Sequence, residues 1–558
     1  MGFHFSRRGL SPSEHGLQRG LEILPGLLSW GTIIATLALS WWRPLYAAVV
    51  IIAFDLYWLL RLFYMTLFLM LSYLRLSLER QTHWMARVRD LADPARARTP
   101  QARHLSQRVS QWLHHRRLRA LIRSREPIPT WQALYHVVLF PIFSERPEIL
   151  EAGLNSLWRQ TFPTAQILVV LAVEGRADPL ILEGIRALQQ RFRRQFFDVL
   201  VTVHPDGLAG EAKVKGANAT WAAKAAADVL RQRGIPFERV LISCFDADTI
   251  VSPDYCACLT YGFLTTPART QASFQPIPTY HNNIWDVPGF ARVLDIGSSF
   301  FQLIEATNPE QLVTFSSHSM SFQALVDIGY WPTDMVSDDS AIFWKALFHY
   351  EGRYRVVPLP ITLSMDVVSA ASWWQTITSI YRQKRRWAWG VENVPIVLRG
   401  FLHSPTMPLL MKLRYTVKLL EMHWAWATWP LLLTVIGWLP ALAAGREFSS
   451  SVLYYSAPNI QGTIFELSSL SFLVTIGLSW LLLPTPRRVR HSLLKRLALA
   501  LEWLLVPLIT IFFIAMPALD AQTRLMRGQH MEFWVTGKRK RLGKLSAAEK
   551  TRMMEDAP

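Results

Sequence analysis

VLISCFDADTI, Val240–Ile250, is the stretch on which the reading of this chain turns. Val240 to Phe245 is a short apolar run with a β-branched and aromatic bias, which predicts a buried strand. It ends in Asp246-Ala247-Asp248. In an extended chain, residues i and i+2 point the same way, so both carboxylates can face one hard divalent cation. Ligands of open α/β sheets bind outside the carboxyl ends of strands. A cation there can hold a diphosphate and neutralise it as a leaving group. One Asp-x-Asp also arises by chance in a chain of this length, so the surrounding segments must decide.

Working outward, strand-like and helical segments alternate. HVVLFPIF from His136 reads as a strand, and Glu148 to Gln160 as a helix. Gln166 to Ala172 is a second strand, ending near Glu174. Pro179 to Phe197 is helical, Val199 to Val203 is a strand, and Lys215 to Gln232 is an Ala-rich helix. This alternation predicts a parallel sheet covered on both faces, hence an α/β domain over residues 131–370.

The flanks are of a different kind. The chain is 558 residues long and 51% hydrophobic, with 23 Trp, 29 Phe and a net charge of +18. Ile23 to Trp42 is uncharged and long enough to span a bilayer. Leu45 to Leu74 is a second apolar run, interrupted by Asp55 and Arg61, so residues 23–74 read as a transmembrane hairpin. Asp55 is either a functional intramembrane acid or a residue near the outer interface. Arg75 to Glu126 holds 13 Arg against 4 acids, which suits amphipathic helices on an anionic membrane surface. The basic residues place 1–22 and the linker 75–130 on the cytoplasmic side. No nucleic-acid motif accompanies the charge, so nucleic acid is not an expected partner. Three cysteines, Cys244, Cys256 and Cys258, do not make a disulfide framework or a zinc site.

Ser372 to Arg386 carries aromatic residues at helical spacing before a basic run, and Leu409 to His423 is similar, so 371–423 reads as interfacial helices. Three apolar runs follow, Trp424–Ala444, Thr463–Leu483 and Leu497–Leu519, in a C-terminal membrane region 424–521. The tail 522–558 is basic, and GKRKRLGK at Gly537–Lys544 belongs in the cytoplasm, which three spans would not allow. Pro507 and Pro517 permit a broken or re-entrant last run. No regulatory domain is expected after Leu519.

Four more stretches bear on the two aspartates. Glu174 ends a strand and suits a nucleoside hydroxyl or base edge, or is an ordinary loop acid. Lys215 precedes Gly216 at a helix N-terminus, which suits a phosphate-bearing donor or a solvated charge. Asp338-Asp339 lies at a loop–helix junction. Adjacent carboxylates raise one another's pKa, as a general base requires, but they also serve as helix N-caps. Gln383-Lys384-Arg385-Arg386-Trp387 offers Arg to a diphosphate and an aromatic face to a sugar, or anchors the helix to lipid.

The order strand acid, Lys-Gly-x-Asn, Asp-x-Asp, Asp-Asp, then Gln-x-x-Arg-Trp beside membrane helices resembles the membrane-bound family 2 glycosyltransferases, the group of cellulose, chitin and hyaluronan synthases. The resemblance covers roughly Trp131 to Trp387. It implies a cytoplasmic nucleotide-diphosphosugar transferase (GT-A) domain between transmembrane helices, in a multi-pass protein of the plasma membrane. Asp246 and Asp248 would bind Mg²⁺ or Mn²⁺, with Asp246 also at the donor diphosphate. Glu174, Lys215, Gln383 and Arg386 would bind the donor, a UDP- or GDP-linked sugar. Asp339 would be the base toward the acceptor hydroxyl, and Trp387 would hold the acceptor. Ser337-Asp338 stands where the family has Thr-Glu, Lys384 where Gln or Arg is usual, and Glu174 where Asp is usual. The implied activity is inverting, metal-dependent sugar transfer to a glycan, processive polysaccharide synthesis being preferred over single addition to a lipid acceptor. A non-catalytic transporter or scaffold has no use for paired acids at strand ends.

Overall fold

The computed structural model describes residues 3, 5–93, 104–124, 128–442, 452–483 and 493–531. Parts of the basic linker (94–103, 125–127), the basic stretch 484–492 and most of the basic tail, GKRKRLGK included, lie outside the described residues.

The strands are β1 (Tyr135–Ile142), β2 (Ile167–Glu174), β3 (Asp198–His204), β4 (Val240–Cys244), β5 (Ile250–Val251), β6 (Ala272–Thr279), β7 (Ser319–Ser321) and β8 (Arg355–Ser364). They form one eight-stranded sheet in the order β3-β2-β1-β4-β7-β6-β8-β5. β3, β2, β1 and β4 are parallel, with Glu174 opposite His204 and Leu139 opposite Cys244. Alternating residues go to opposite faces, as the twofold period of a strand requires. Val137 and Leu139 pack with the alanines of helix Lys215–Gln232, whereas Val138 and Phe140 pack with helices Pro147–Trp158 and Pro179–Phe192. Both faces are therefore covered, and β2 is buried at every position.

The sheet is not wholly parallel, contrary to the sequence expectation. β7 runs antiparallel to both β4 and β6, and β5 antiparallel to β8. β6 and β8 each contain two prolines, Pro276 and Pro278, Pro358 and Pro360. Proline cannot donate to a ladder and argues against an internal strand. The fold tolerates them because β7 pairs only with Ser273 and Phe274 of β6, and β5 only with Leu363 and Ser364 of β8. A register shift between Gln275 and Ile277 accommodates Pro276.

Among the described residues, four helices are long and apolar enough to cross a membrane: Pro12–Trp42, Pro44–Glu79, Gly462–Leu482 and Leu497–Met526. The first begins at a capping box of Ser11 and Glu14. The last is interrupted at its prolines. A 3-10 turn at Glu502–Leu505 precedes Pro507, and a π turn at Ile511–Ala515 precedes Pro517. Each proline sits in the first turn of the next helical piece, where its missing N–H is not needed. Trp424 onward continues helix Leu409–Thr434, followed by a 3-10 turn and a short helix to Leu442. In the linker, Trp84, Val88 and Leu91 of helix Trp84–Ala92 are buried in the core beside Tyr261, so this apolar face covers the α/β domain.

Candidate active site

Asp246 leaves the end of β4 and enters a turn, closed by the Thr249 N–H to the Asp246 carbonyl at 2.9 Å. The extended geometry expected for Asp246-Ala247-Asp248 is thus replaced by a turn, and the two carboxylates meet different partners. Asp246 accepts from Lys215 Nζ on one oxygen at 2.9 Å and from Ser316 Oγ on the other at 2.5 Å. Asp248 is buried, and its Oδ2 accepts from the Asp366 N–H at 2.7 Å, beyond the end of β8. Asn282 donates to the Asp248 carbonyl at 2.9 Å.

Lys215 opens helix Lys215–Gln232, and its ammonium reaches Asp339 as well, at 3.0 and 3.3 Å from the two oxygens. Side-chain exposure is 9% for Lys215 but 27% for Asp246 and 26% for Asp339, so the cation is the floor and the carboxylates face the opening. Burial alone would lower the pKa of Lys215. The charges of Asp246 and Asp339 outweigh it and hold the ammonium protonated well above its ordinary range.

Asp338 and Asp339 open helix Asp338–His349. Asp338 is buried, and burial together with the charge of Asp339 pushes its pKa up to about 8. The neighbours are therefore unlike: burial favours the neutral form of Asp338 at neutral pH, whereas Asp339 is ion-paired and partly exposed. The buried Glu392 fixes this junction, accepting at 2.8 Å from both the N–H and the hydroxyl of Ser337. Asn393 adds bonds to Ser337 and Ser340 at 3.0 and 3.1 Å. His318, kept neutral by burial with a pKa near 4, lies 3.8 Å from Asp339.

Helix Trp373–Ala388 carries the remaining expected residues. Gln383 is buried, and the charge of Arg386 acts on both Asp338 and Tyr280, lowering the pKa of each. Tyr280 also feels Asp246 and Asp248, and its ring lies 5.9 Å from that of Trp387. The ammonium of Lys384 sits 3.7 Å from the Trp387 ring centroid and bonds to Asp295 at 2.7 Å and Ser298 at 3.0 Å. The indole is thus already held on one side by a cation. Trp373 and Trp374 at the other end of the helix are 51% and 72% exposed, as lipid contact requires.

Glu174 is the last residue of β2 and pairs with Arg176 at 2.5 Å. It lines a cavity of about 70 Å³ with Gly175, His204, Asp206, Lys213 and Val214. Glu174, at the carboxyl end of β2 beside β3, is thus two strands along the sheet from Asp246, with β1 between them.

Among the described residues, no group of three or more His, Cys, Asp or Glu side chains is arranged to hold a metal ion. Two carboxylates are nevertheless what a Mg²⁺-type site needs when substrate phosphates complete the shell. Asp246, partly exposed at the opening of the site, supplies carboxylate oxygens of that kind, which a cation would share with or take from Lys215 and Ser316.

Several members of the site escaped the sequence reading: Ser316, His318, Tyr280, Asp366 and Glu392. Asp366 had the same signal as Asp248, an acid just past a strand-like run. Glu392 follows Trp387 closely, but nothing local marks it as the anchor of Ser337.

Residues 241–516 match the family model described as Glycosyl transferase family group 2. A poly-beta-1,6-N-acetyl-D-glucosamine synthase of Staphylococcus aureus is 28% identical over 170 residues, 29% of this chain and 37% of that protein. The synthase of the same name from Staphylococcus epidermidis is 30% identical over 166 residues, 29% of this chain and 36% of that protein. The matched part is therefore little more than a third of the length of these relatives. Among solved structures, a mannosyltransferase from Pyrobaculum calidifontis in complex with GDP-Man and Mn²⁺ is 14% identical, with a TM-score of 0.38, over 80% of this chain and 100% of that one. S. aureus TarS 1–349 in complex with UDP-GlcNAc is 12% identical, with a TM-score of 0.34, over 72% and 94%. The mixed α/β domain between terminal apolar helices is the fold class that the resemblance implies. The similarity to the family 2 glycosyltransferases thus rests on residues 241–516, a little under half of the chain, and on a shorter match to polysaccharide synthases.

Proposed function

We propose that the chain transfers a sugar from a UDP- or GDP-linked donor to a glycan acceptor at the cytoplasmic membrane face, with inversion and repeated addition. The observation that carries this reading is the bridge Asp246–Lys215–Asp339, which joins an acid at a strand end to a second, partly exposed carboxylate. Asp339 takes the proton of the acceptor hydroxyl. That oxygen attacks the anomeric carbon from the side opposite the diphosphate, so a glycosidic bond forms as the bond to the diphosphate oxygen breaks. Lys215 holds the Asp339 carboxyl group in place by its ion pair before the acceptor arrives, and the raised pKa of Asp338 keeps a competing charge away from it. Mg²⁺ or Mn²⁺ at Asp246 and Asp248 would neutralise the departing nucleoside diphosphate. Arg386 and Lys215 supply positive charge to the same group. Glu174 faces the nucleoside, and Gln383 the donor. Trp387, held by Lys384 on one side, presents the rest of its ring to the acceptor sugar.

Four apolar helices and the exposed tryptophans of helix Trp373–Ala388 support contact with membrane lipids. The test is to incubate the purified chain in lipid with a panel of nucleotide sugars, measuring nucleoside diphosphate release and product size. Long products support repeated addition. A single-sugar product with every acceptor tried replaces it with glycosylation of a lipid acceptor.

A further inference from the structure

Three consecutive residues near the N-terminus reach three separate walls of the site. Ser6 donates to Asp334 at 2.9 Å, in the loop that leads to Ser337, Asp338 and Asp339. Arg7 places its charge on Glu392, the residue that holds Ser337. Arg8 donates to the Gly210 carbonyl at 3.0 Å, in the loop that leads to Lys215. The segment is itself anchored. Arg399, fully buried, donates to the Ser6 carbonyl, and Phe5 is buried with its ring 6.1 Å from that of Phe348.

The loop that Arg8 grips needs such a hold. Gly207 and Gly210 adopt φ of +79° and +86°, values that glycine reaches freely and other residues rarely do. The same loop supplies residues 205–208 and 211–214, on either side of Gly210, to the wall of the Glu174 cavity. At its far end, the Ala212 N–H bonds to the Thr333 carbonyl at 2.8 Å, so it is already docked on the loop that carries Ser6's partner. Arg8 therefore adds, at Gly210, a hold from outside the loop to the local ties between His204 and Glu211 at 2.8 Å and between Lys213 and Asp206 at 3.2 Å.

We propose that Ser6–Arg8 form a positioning strap, with Arg8 holding the 205–213 loop in the conformation that receives the donor nucleotide. The strap rests on the reading of the Glu174 cavity as the nucleoside site. A glycine-hinged loop left free must be ordered when ligand binds, and that entropy is subtracted from affinity. Arg8 orders it beforehand, so its loss appears in nucleotide binding more than in the chemical step. Because helix Pro12–Trp42 begins only a few residues later, the strap also connects an apolar helix to the donor pocket.

The test measures UDP and GDP binding to the full chain in lipid nanodiscs, together with thermal unfolding. Arg8→Ala is expected to weaken binding roughly tenfold, the scale of one charge-assisted hydrogen bond, with the unfolding temperature nearly unchanged. Arg8→Lys, which still donates to the Gly210 carbonyl, is expected to recover most of the loss. Wild-type affinity in Arg8→Ala overturns the proposal, as does an equal loss in Arg8→Lys accompanied by lower stability. Should Arg8→Ala not fold, Arg8→Gln, too short to reach the carbonyl, is read by the same criteria. Glu174→Gln separates the two readings. Unchanged binding in that variant removes the nucleoside assignment, whereas weaker binding there beside wild-type binding in Arg8→Ala removes the strap alone.

Discussion

The two halves of the sheet hold their parts of the site by different means. In the parallel half, β3-β2-β1-β4, helices connect successive strands, and Glu174, Asp246 and Lys215 stand at strand ends or at the helix start between them. The backbone ladder places these groups. In the other half, β7-β6-β8-β5, the strands are short, proline-bearing or antiparallel, and Asp339, Asp366 and Trp387 come from loops and helices beyond them. Individual side-chain bonds place those groups: Glu392 to Ser337, Asp366 N–H to Asp248, Lys384 to Asp295. Lys215 bonds to both halves, through Asp246 and Asp339, beside the Ser316–Asp246 and Asp366–Asp248 bonds that also cross between them. The proposed roles of Glu174, Asp246 and Lys215 thus rest on crossovers of the parallel half, whereas those of Asp339, Gln383, Arg386 and Trp387 rest on segments fixed mainly by side-chain bonds.

The largest expected effect is on the shared edge. Chelation by EDTA should abolish turnover, and Mg²⁺ or Mn²⁺ should restore it. Asp248→Asn should lose activity while keeping its fold by circular dichroism. Full turnover in EDTA removes the cation from the mechanism and leaves the Lys215 bridge to join Asp246 and Asp339 without it.

Next comes the base. Asp339→Asn should lower the rate at least ~10²-fold, the usual scale for general-base removal, with nucleotide binding retained. Asp338→Asn should be mild, because Asp338 already carries its proton at neutral pH. If Asp338→Asn is the crippling change, the roles of the two neighbours are exchanged.

A smaller and more selective effect is expected on helix Trp373–Ala388. Arg386→Ala should reduce all transfer, including slow hydrolysis of donor by water. Trp387→Ala should spare that hydrolysis but shorten the product. The measurement is nucleoside diphosphate release beside product length in the same samples. Equal losses of both in Trp387→Ala would mean that this half of the site does not separate acceptor from donor.

The smallest is a pH dependence of stability. The Asp338 pKa is raised to about 8 in the fold, against about 3.9 in an unfolded chain. Between those values the folded state binds more protons, so this group's contribution falls as pH rises through the window and levels off above it. Asp338→Asn lacks that dependence. Thermal unfolding from pH 5 to 9 should show wild type losing stability relative to the variant up to about pH 8. Parallel curves would mean that Asp338 is not held neutral.

The parallel half was legible because its strands are continuous apolar runs separated by helices with local signals. Helix Lys215–Gln232 has the bounds that its composition implies, and β1 to β4 lie where the runs lie. The mixed half was not legible. Pro276, Pro278, Pro358 and Pro360 suppress the strand signal, and three-residue β7 is too short to leave one. The expected geometry of Asp246 and Asp248 also changed, since the extended-chain argument stops where the strand stops and a turn begins.

Chain order and residue type were enough to single out Glu174, Lys215, Asp246, Asp248, Asp339, Gln383, Arg386 and Trp387, because each stands next to a strand end, a helix start or an interfacial helix. Residue type could not say which of two adjacent aspartates is neutral. That depends on burial and on the charges that surround each carboxyl group once distant segments are packed. Nor could it show that Lys215 bridges two acids 31 and 124 residues away, or that Ser6, Arg7 and Arg8 reach the walls of the same site. Those contacts join residues with no local relation in sequence, and only the packed tertiary structure brings them within hydrogen-bonding or Coulombic range.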